Sequence, residues 1–219
     1  MRRRKKRGNR TALSLALLFV AVVCFLGVFA VRPKEPPILA YVNGEPIYTA
    51  EFQLFMTHDR AEAAAYFYEK YGAVDGPDFW NSTYDGSTPL EYLKELALRD
   101  AVEVKVMQCC AKLEGITENI DYVSIQKQWE RENRQRAQKS KDGQILFGPA
   151  QFSLPEFYAY QNSSWETMLY KKYVQEHSIA GEIMNGSEQR YSAFQESLKQ
   201  EARDAQLEIR QEQWRRLSL

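Results

Sequence analysis

The stretch Pro89–Gly115, PLEYLKELALRDAVEVKVMQCCAKLEG, decides the fold. Thr88 is a good N-cap, Pro89 suits the first helical position, and Glu91 places negative charge in the first turn. Gly115 stands just past the last apolar residue, where a left-handed C-cap residue belongs. Between these signals lies a helix of about 24 residues, roughly 36 Å long. One face carries Leu93, Leu96, Ala97, Val104, Met107 and Ala111; a second carries Leu98, Val102, Val106, Cys109 and Leu113. A surface helix buries one stripe, so two stripes predict neighbours on more than one side. This is the central helix of a mainly α-helical domain.

Working outward, Ile38–Val42 reads as a short strand, Asn43-Gly44 as a hairpin turn, and Pro46-Ile47-Tyr48 as its extended partner. Thr49 is the expected N-cap of a helix from Ala50 to about Tyr71, with Phe52, Phe55, Met56, Ala63, Tyr66 and Phe67 at helical spacing. Residues 72–88 form a long loop holding the pair Phe79-Trp80; a loop of that length either packs on itself or contacts a partner. Beyond Gly115, Thr117 is the expected cap of a third helix reaching about Gln138, charged through its second half. Ser153 and Glu156 form a capping box for a fourth, highly aromatic helix. Residues 187–217 read as one charged C-terminal helix with a narrow stripe of Tyr191, Phe194, Leu198, Ala202, Ala205 and Ile209, laid on the domain or used as a coiled-coil arm.

The chain has 219 residues, with 29 basic and 29 acidic side chains. Seven of the basic ones fall within residues 1–10, which leaves 22 against 29 acidic ones, a net of −7. An acidic body excludes a nucleic-acid surface. Residues 11–31 are 21 uncharged, mostly apolar residues, long enough to cross a ~30 Å hydrocarbon layer. With the positive charges ahead of it, this span predicts a cytoplasmic tail (1–10), a single-pass anchor in the cell membrane's lipid bilayer (11–31), a Pro-rich linker (32–37) and an extracytoplasmic domain (38–180). Cleavage after Ala30 is the competing reading; the run exceeds a usual signal-peptide core, which favours a retained anchor.

No catalytic constellation stands out. There is no Gly-rich phosphate loop, no Gly-x-Ser-x-Gly elbow and no His-Glu-x-x-His helix. His58 and His177 cannot assemble a metal cluster, and the adjacent Cys109 and Cys110 are small buried hydrophobes. No metal, cofactor or catalytic residue is expected.

Three segments in order, ILAYVNGEPIYTAEF, LEYLKELALRDAVEVKVMQCCAKLEGITENIDYVSIQ and FGPAQFSLPEFYAYQ, resemble the N-terminal chaperone domain of the SurA/PrsA group of extracytoplasmic foldases. The resemblance covers about residues 38–175 and implies a helical domain that holds unfolded or exported polypeptides outside the membrane. Such a holder needs a cleft of apolar and aromatic groups with a polar rim, and Phe79, Trp80, Tyr158 and Trp165 are the expected polypeptide-binding residues. Catalytic members of that group carry a parvulin-type domain, for which this sequence leaves no space, so the chaperone reading is a non-catalytic one. Peptidyl-prolyl isomerase is one alternative. An envelope adaptor or structural protein, forming homo-oligomers or other contacts through the C-terminal helix, is another.

Overall fold

A computed structural model describes residues 36–179 and 186–219. The basic tail, the membrane anchor and nearly all of the Pro-rich linker fall on residues 1–35, outside the described residues. Among the described residues no helix is long and apolar enough to cross a membrane. Pro37–Leu219 form one compact unit.

Strands β1 (Ile38–Val42) and β2 (Glu45–Tyr48) pair antiparallel, with Val42 opposite Glu45. Both turn residues have positive φ, Asn43 at 50° and Gly44 at 81°, as a two-residue turn matched to strand twist requires. Pro46 has no N–H to donate and sits on β2, an edge strand, where that loss is harmless. Helix α1 (Thr49–Tyr71) ends at Gly72 in the left-handed conformation, φ 66°. Loop 72–88 packs on itself through a short 3₁₀ turn (Phe79–Asn81): Trp80 Nε1 donates to Asp75 Oδ1 at 3.0 Å, and Arg60 lies over the indole.

Helix α2 (Pro89–Leu113) starts as its sequence dictates. Thr88 Oγ1 accepts from Glu91 N at 3.1 Å, and Glu91 Oε2 accepts in return from Thr88 N at 3.1 Å. It packs against α1, α4, α5 and the sheet. Neither of its two expected stripes is fully sealed: in the first, all but the half-buried Val104 are buried. In the second, Val106 is buried, Leu98 and Val102 are half-buried, and Leu113 is 84% exposed.

Helix α3 (Tyr122–Lys141) begins later than expected, capped by Asp121 instead of Thr117. Asp121 Oδ1 accepts from Ser124 N at 3.1 Å, while its other oxygen takes the Tyr48 hydroxyl at 2.7 Å, so a tertiary contact fixes the start. Helix α4 (Leu154–Ile179) opens with the expected capping box, Ser153 N donating to Glu156 Oε2 at 2.8 Å.

The C-terminal segment departs from its expected form. Helix α5 (Ser187–Arg203) stops at Asp204; β3 (Leu207–Ile209) follows, then the short helix α6 (Gln211–Arg216). Strand β3 pairs antiparallel with β1, giving a three-stranded sheet of order β2-β1-β3 in place of the expected hairpin. Leu207-Glu208-Ile209 alternates with period two as well as fitting the helical stripe, and β1 offers backbone partners that solvent-exposed helix does not. Asn43 N donates to Gln206 O at 2.9 Å and Arg210 N to Leu39 O at 2.8 Å. Of the apolar stripe of α5, Phe194 is buried against Tyr170 and Tyr173, Leu198 and Ala202 are half-buried, and Tyr191 is exposed.

Candidate functional site: a groove along the central helix

Beneath the surface where α1, α2 and α4 meet lies a polar knot. Lys105 of α2 donates to Glu51 Oε1 of α1 at 2.9 Å, and each side chain is 1% exposed. The Tyr158 hydroxyl of α4 donates to the same oxygen at 2.8 Å. Gln108 Nε2 donates to the Tyr158 hydroxyl (3.2 Å) and to Asn162 Oδ1 (2.8 Å). Burial, with the Glu51 charge second, pushes the Tyr158 hydroxyl well above its ordinary range, so it stays a donor. Two charges out of water are costly unless geometry and further hydrogen bonds satisfy them. Here Glu51 gathers Lys105, Tyr158 and the Tyr48 N–H (3.3 Å), an arrangement that fixes three helices in register.

Above this knot the helices leave an open groove. Its first part, about 270 Å³, lies between α1, α2 and α4 over Leu54, Phe55, Val104, Pro155 and Ala159. Its second, about 150 Å³, shares Val104 and Asn162 with the first and adds Met107 and Leu198. The third, about 460 Å³, shares Glu103 and Lys199 with the second and is floored by Leu98, Val102, Ala202 and Leu207. The three run on from one another across α2, from α1 and α4 to α5 and β3. The floor is aliphatic; the rim alternates in charge, with Glu95 and Glu103 facing Lys199 and Arg203.

At the α1 end His58 and Asp100 line the groove, and Asp59 is buried beside them. Burial, and next the nearby Asp100 charge, push the Asp59 carboxyl up to about 6. Its Oδ2 has no hydrogen-bond partner. The two cysteines of α2 are half-buried; burial, with Glu45 second, pushes the Cys109 thiol up to about 11, and burial also raises Cys110. Neither is activated as a nucleophile.

The four residues expected to bind polypeptide are all buried. Phe79 and Trp80 pack in the 72–88 loop, Phe79 edge-on to Phe67 and to Trp80. Trp165 is in the core, and Tyr158 alone also borders the groove. Large aromatics draw attention in a sequence, yet their area is what most favours burial. The α2 part of the groove is built from smaller aliphatic residues of both stripes, Val104 and Met107 of the first and Leu98 and Val102 of the second. The polar knot had one legible signal, Lys105 among Val104, Val106 and Met107.

The structure brings together a small sheet made from both ends of the described domain, a helical layer on it and an open groove with both charges on its rim. The chain is similar to the foldase protein PrsA of Caldanaerobacter subterraneus subsp. tengcongensis, 27% identical over 177 residues, which are 80% of this chain and 54% of that protein. It thus spans about half the length of that curated relative. The similarity supports a relationship to PrsA/SurA-like chaperones. No family model and no solved structure matches the chain.

Proposed function

We propose that this chain is a membrane-tethered, extracytoplasmic, non-catalytic chaperone that holds extended stretches of unfolded or exported polypeptide in the groove along α2. The observation that carries this reading is the continuity of the groove, whose parts share Val104, Asn162, Glu103 and Lys199. An extended chain needs a long, shallow track with aliphatic contacts and a rim that tolerates either charge, because its sequence varies. The similarity to a foldase supports the same class of partner. The uncharged run at residues 11–31 supports tethering, which raises the local concentration of the groove near a chain emerging from the membrane.

The test uses the full chain in vesicles. A reduced, unfolded client is expected to aggregate more slowly when the chain is present, and the Val104→Arg chain is expected to lose that effect. A protease-coupled proline-peptide assay is expected to give the uncatalysed rate. Client aggregation that is unchanged by the folded chain contradicts the holding function. A purified chain that accelerates proline isomerisation replaces the non-catalytic reading by the foldase one, which the name of the PrsA relative favours.

A further inference from the structure

The second half of α3 and the loop after it form an arm with a different surface from the rest of the domain. Every residue from Gln138 to Gln151 except Leu146 is exposed. At its tip the apolar run Ile145-Leu146-Phe147 turns outward, with Ile145 83% and Phe147 87% exposed. Such a run in a flexible loop would fold over to shield itself. Here the chain is pinned from behind: Arg136 Nη1 donates to the carbonyls of Phe147 (3.0 Å) and Pro149 (2.7 Å). Asn133 exchanges two hydrogen bonds of 2.8 Å with the Phe152 backbone, and Trp129 Nε1 donates to the same carbonyl at 2.7 Å. Gly143 and Gly148, both at positive φ, make the bends. The apolar tip is therefore held out on a fixed mount.

Charge selects what it meets. Residues 127–151 carry six Lys or Arg and three Asp or Glu, whereas the rest of 36–219 carries 14 basic and 25 acidic residues. Both glutamates are neutralised within the arm, Glu130 by Arg134 and Glu132 by Arg136. Among the described residues no carboxylate pairs with Lys139 or Lys141, which flank the tip. The arm is thus a net-positive part of a net-acidic domain, and an anionic surface favours it over the remainder.

We propose that this arm docks the domain on an anionic lipid surface, with Ile145, Leu146 and Phe147 entering the headgroup boundary and Lys139 and Lys141 meeting lipid phosphates. Aliphatic and aromatic side chains on one side and lysines beside them are the composition an interfacial anchor uses. Each lysine near a negatively charged leaflet strengthens the association about fivefold. The inference does not depend on the groove, which lies on other faces of α2 and α4.

Hydrogen exchange of the full chain tests it, with phosphatidylcholine vesicles that contain or lack phosphatidylglycerol. Residues 143–150 are expected to exchange more slowly with the anionic lipid only, and less so as salt is raised. Lys139→Glu with Lys141→Glu is expected to weaken that protection more than about tenfold, and Ile145→Ser with Phe147→Ser to abolish it. All four side chains are exposed, so folding is expected to be unchanged, as thermal melts would confirm. Equal exchange at 143–150 in both vesicles overturns the proposal. So does protection that requires an added unfolded client, or that rises with protein concentration in the absence of anionic lipid, since the tip then meets a polypeptide.

Discussion

Lys105 Nζ stands 2.9 Å from Glu51 Oε1, and water reaches neither side chain. The pair joins the first turn of α1 to the middle of α2, 54 residues apart, and Tyr158 brings α4 to the same oxygen. Its consequences follow from the cost of a buried charge without a partner.

Lys105→Met leaves the Glu51 carboxylate facing one hydroxyl and one N–H. Breaking a buried pair on one side costs about 3–5 kcal/mol. The double variant Glu51→Gln, Lys105→Met removes both charges and is expected to recover most of that loss. Urea unfolding of four chains, the parent, Glu51→Gln, Lys105→Met and the double variant, measures it. Additive losses would mean that the two side chains do not depend on one another.

Asp59 gives a dependence on pH. Its folded pKa is raised, from 3.8 to about 6, so the native state binds the proton more tightly than the unfolded chain. Stability from this group is therefore full below pH 4, falls as pH rises from about 4 to 6, and is gone above that. The loss is on the order of 3 kcal/mol. Asp59→Asn is expected to raise the melting temperature at pH 8 and to change it little at pH 4. Equal shifts at both pH values would show that the carboxyl ionises normally.

The limits of α2 are written in Thr88, Pro89, Glu91 and Gly115, because caps are local chemistry and the structure keeps them. The hairpin turn at Asn43-Gly44 is legible for the same reason. What could not be read locally depends on contacts distant in sequence. Residues 204–210 fit a helical stripe and a strand alike, and the free edge of β1 decides between them. The cap of α3 moves to Asp121 because Tyr48, 73 residues away, reaches it. The burial of Phe79 and Trp80 was illegible for a similar reason: they lie in a loop, and only the fold shows that the loop closes over them.

Cys109 and Cys110 are expected to resist alkylation at pH 7.5. Their thiols are raised by burial, Cys109 to about 11, so the thiolate is scarcer than on a free cysteine. Iodoacetamide labelling followed by mass spectrometry should modify both only after denaturant is added. Rapid native labelling would mean that α2 opens at this turn.

The return of the chain to the sheet gives the last prediction. Residues 204–219 supply β3, the neighbour of β1; Trp214, whose ring lies 5.8 Å from that of Phe52; and Leu217, which is buried in the core. The carbonyl of Trp214 also accepts from the half-enclosed Lys94 at 3.4 Å. A chain ending at Arg203 exposes the edge of β1 and uncovers Phe52, a loss of about 3 kcal/mol or more at 25 cal/mol per Å² of apolar surface. For a domain of this size that lowers the melting temperature by roughly 10 °C. The exposed edge also invites pairing with a second copy, so the shortened chain is expected to self-associate as its concentration rises. A chain ending at Arg203 that melts unchanged and stays monomeric would show that the segment is an appendage. An appendage would be free to serve as a partner arm; a strand of the sheet, bonded on β1 and wedged against Phe52, is not.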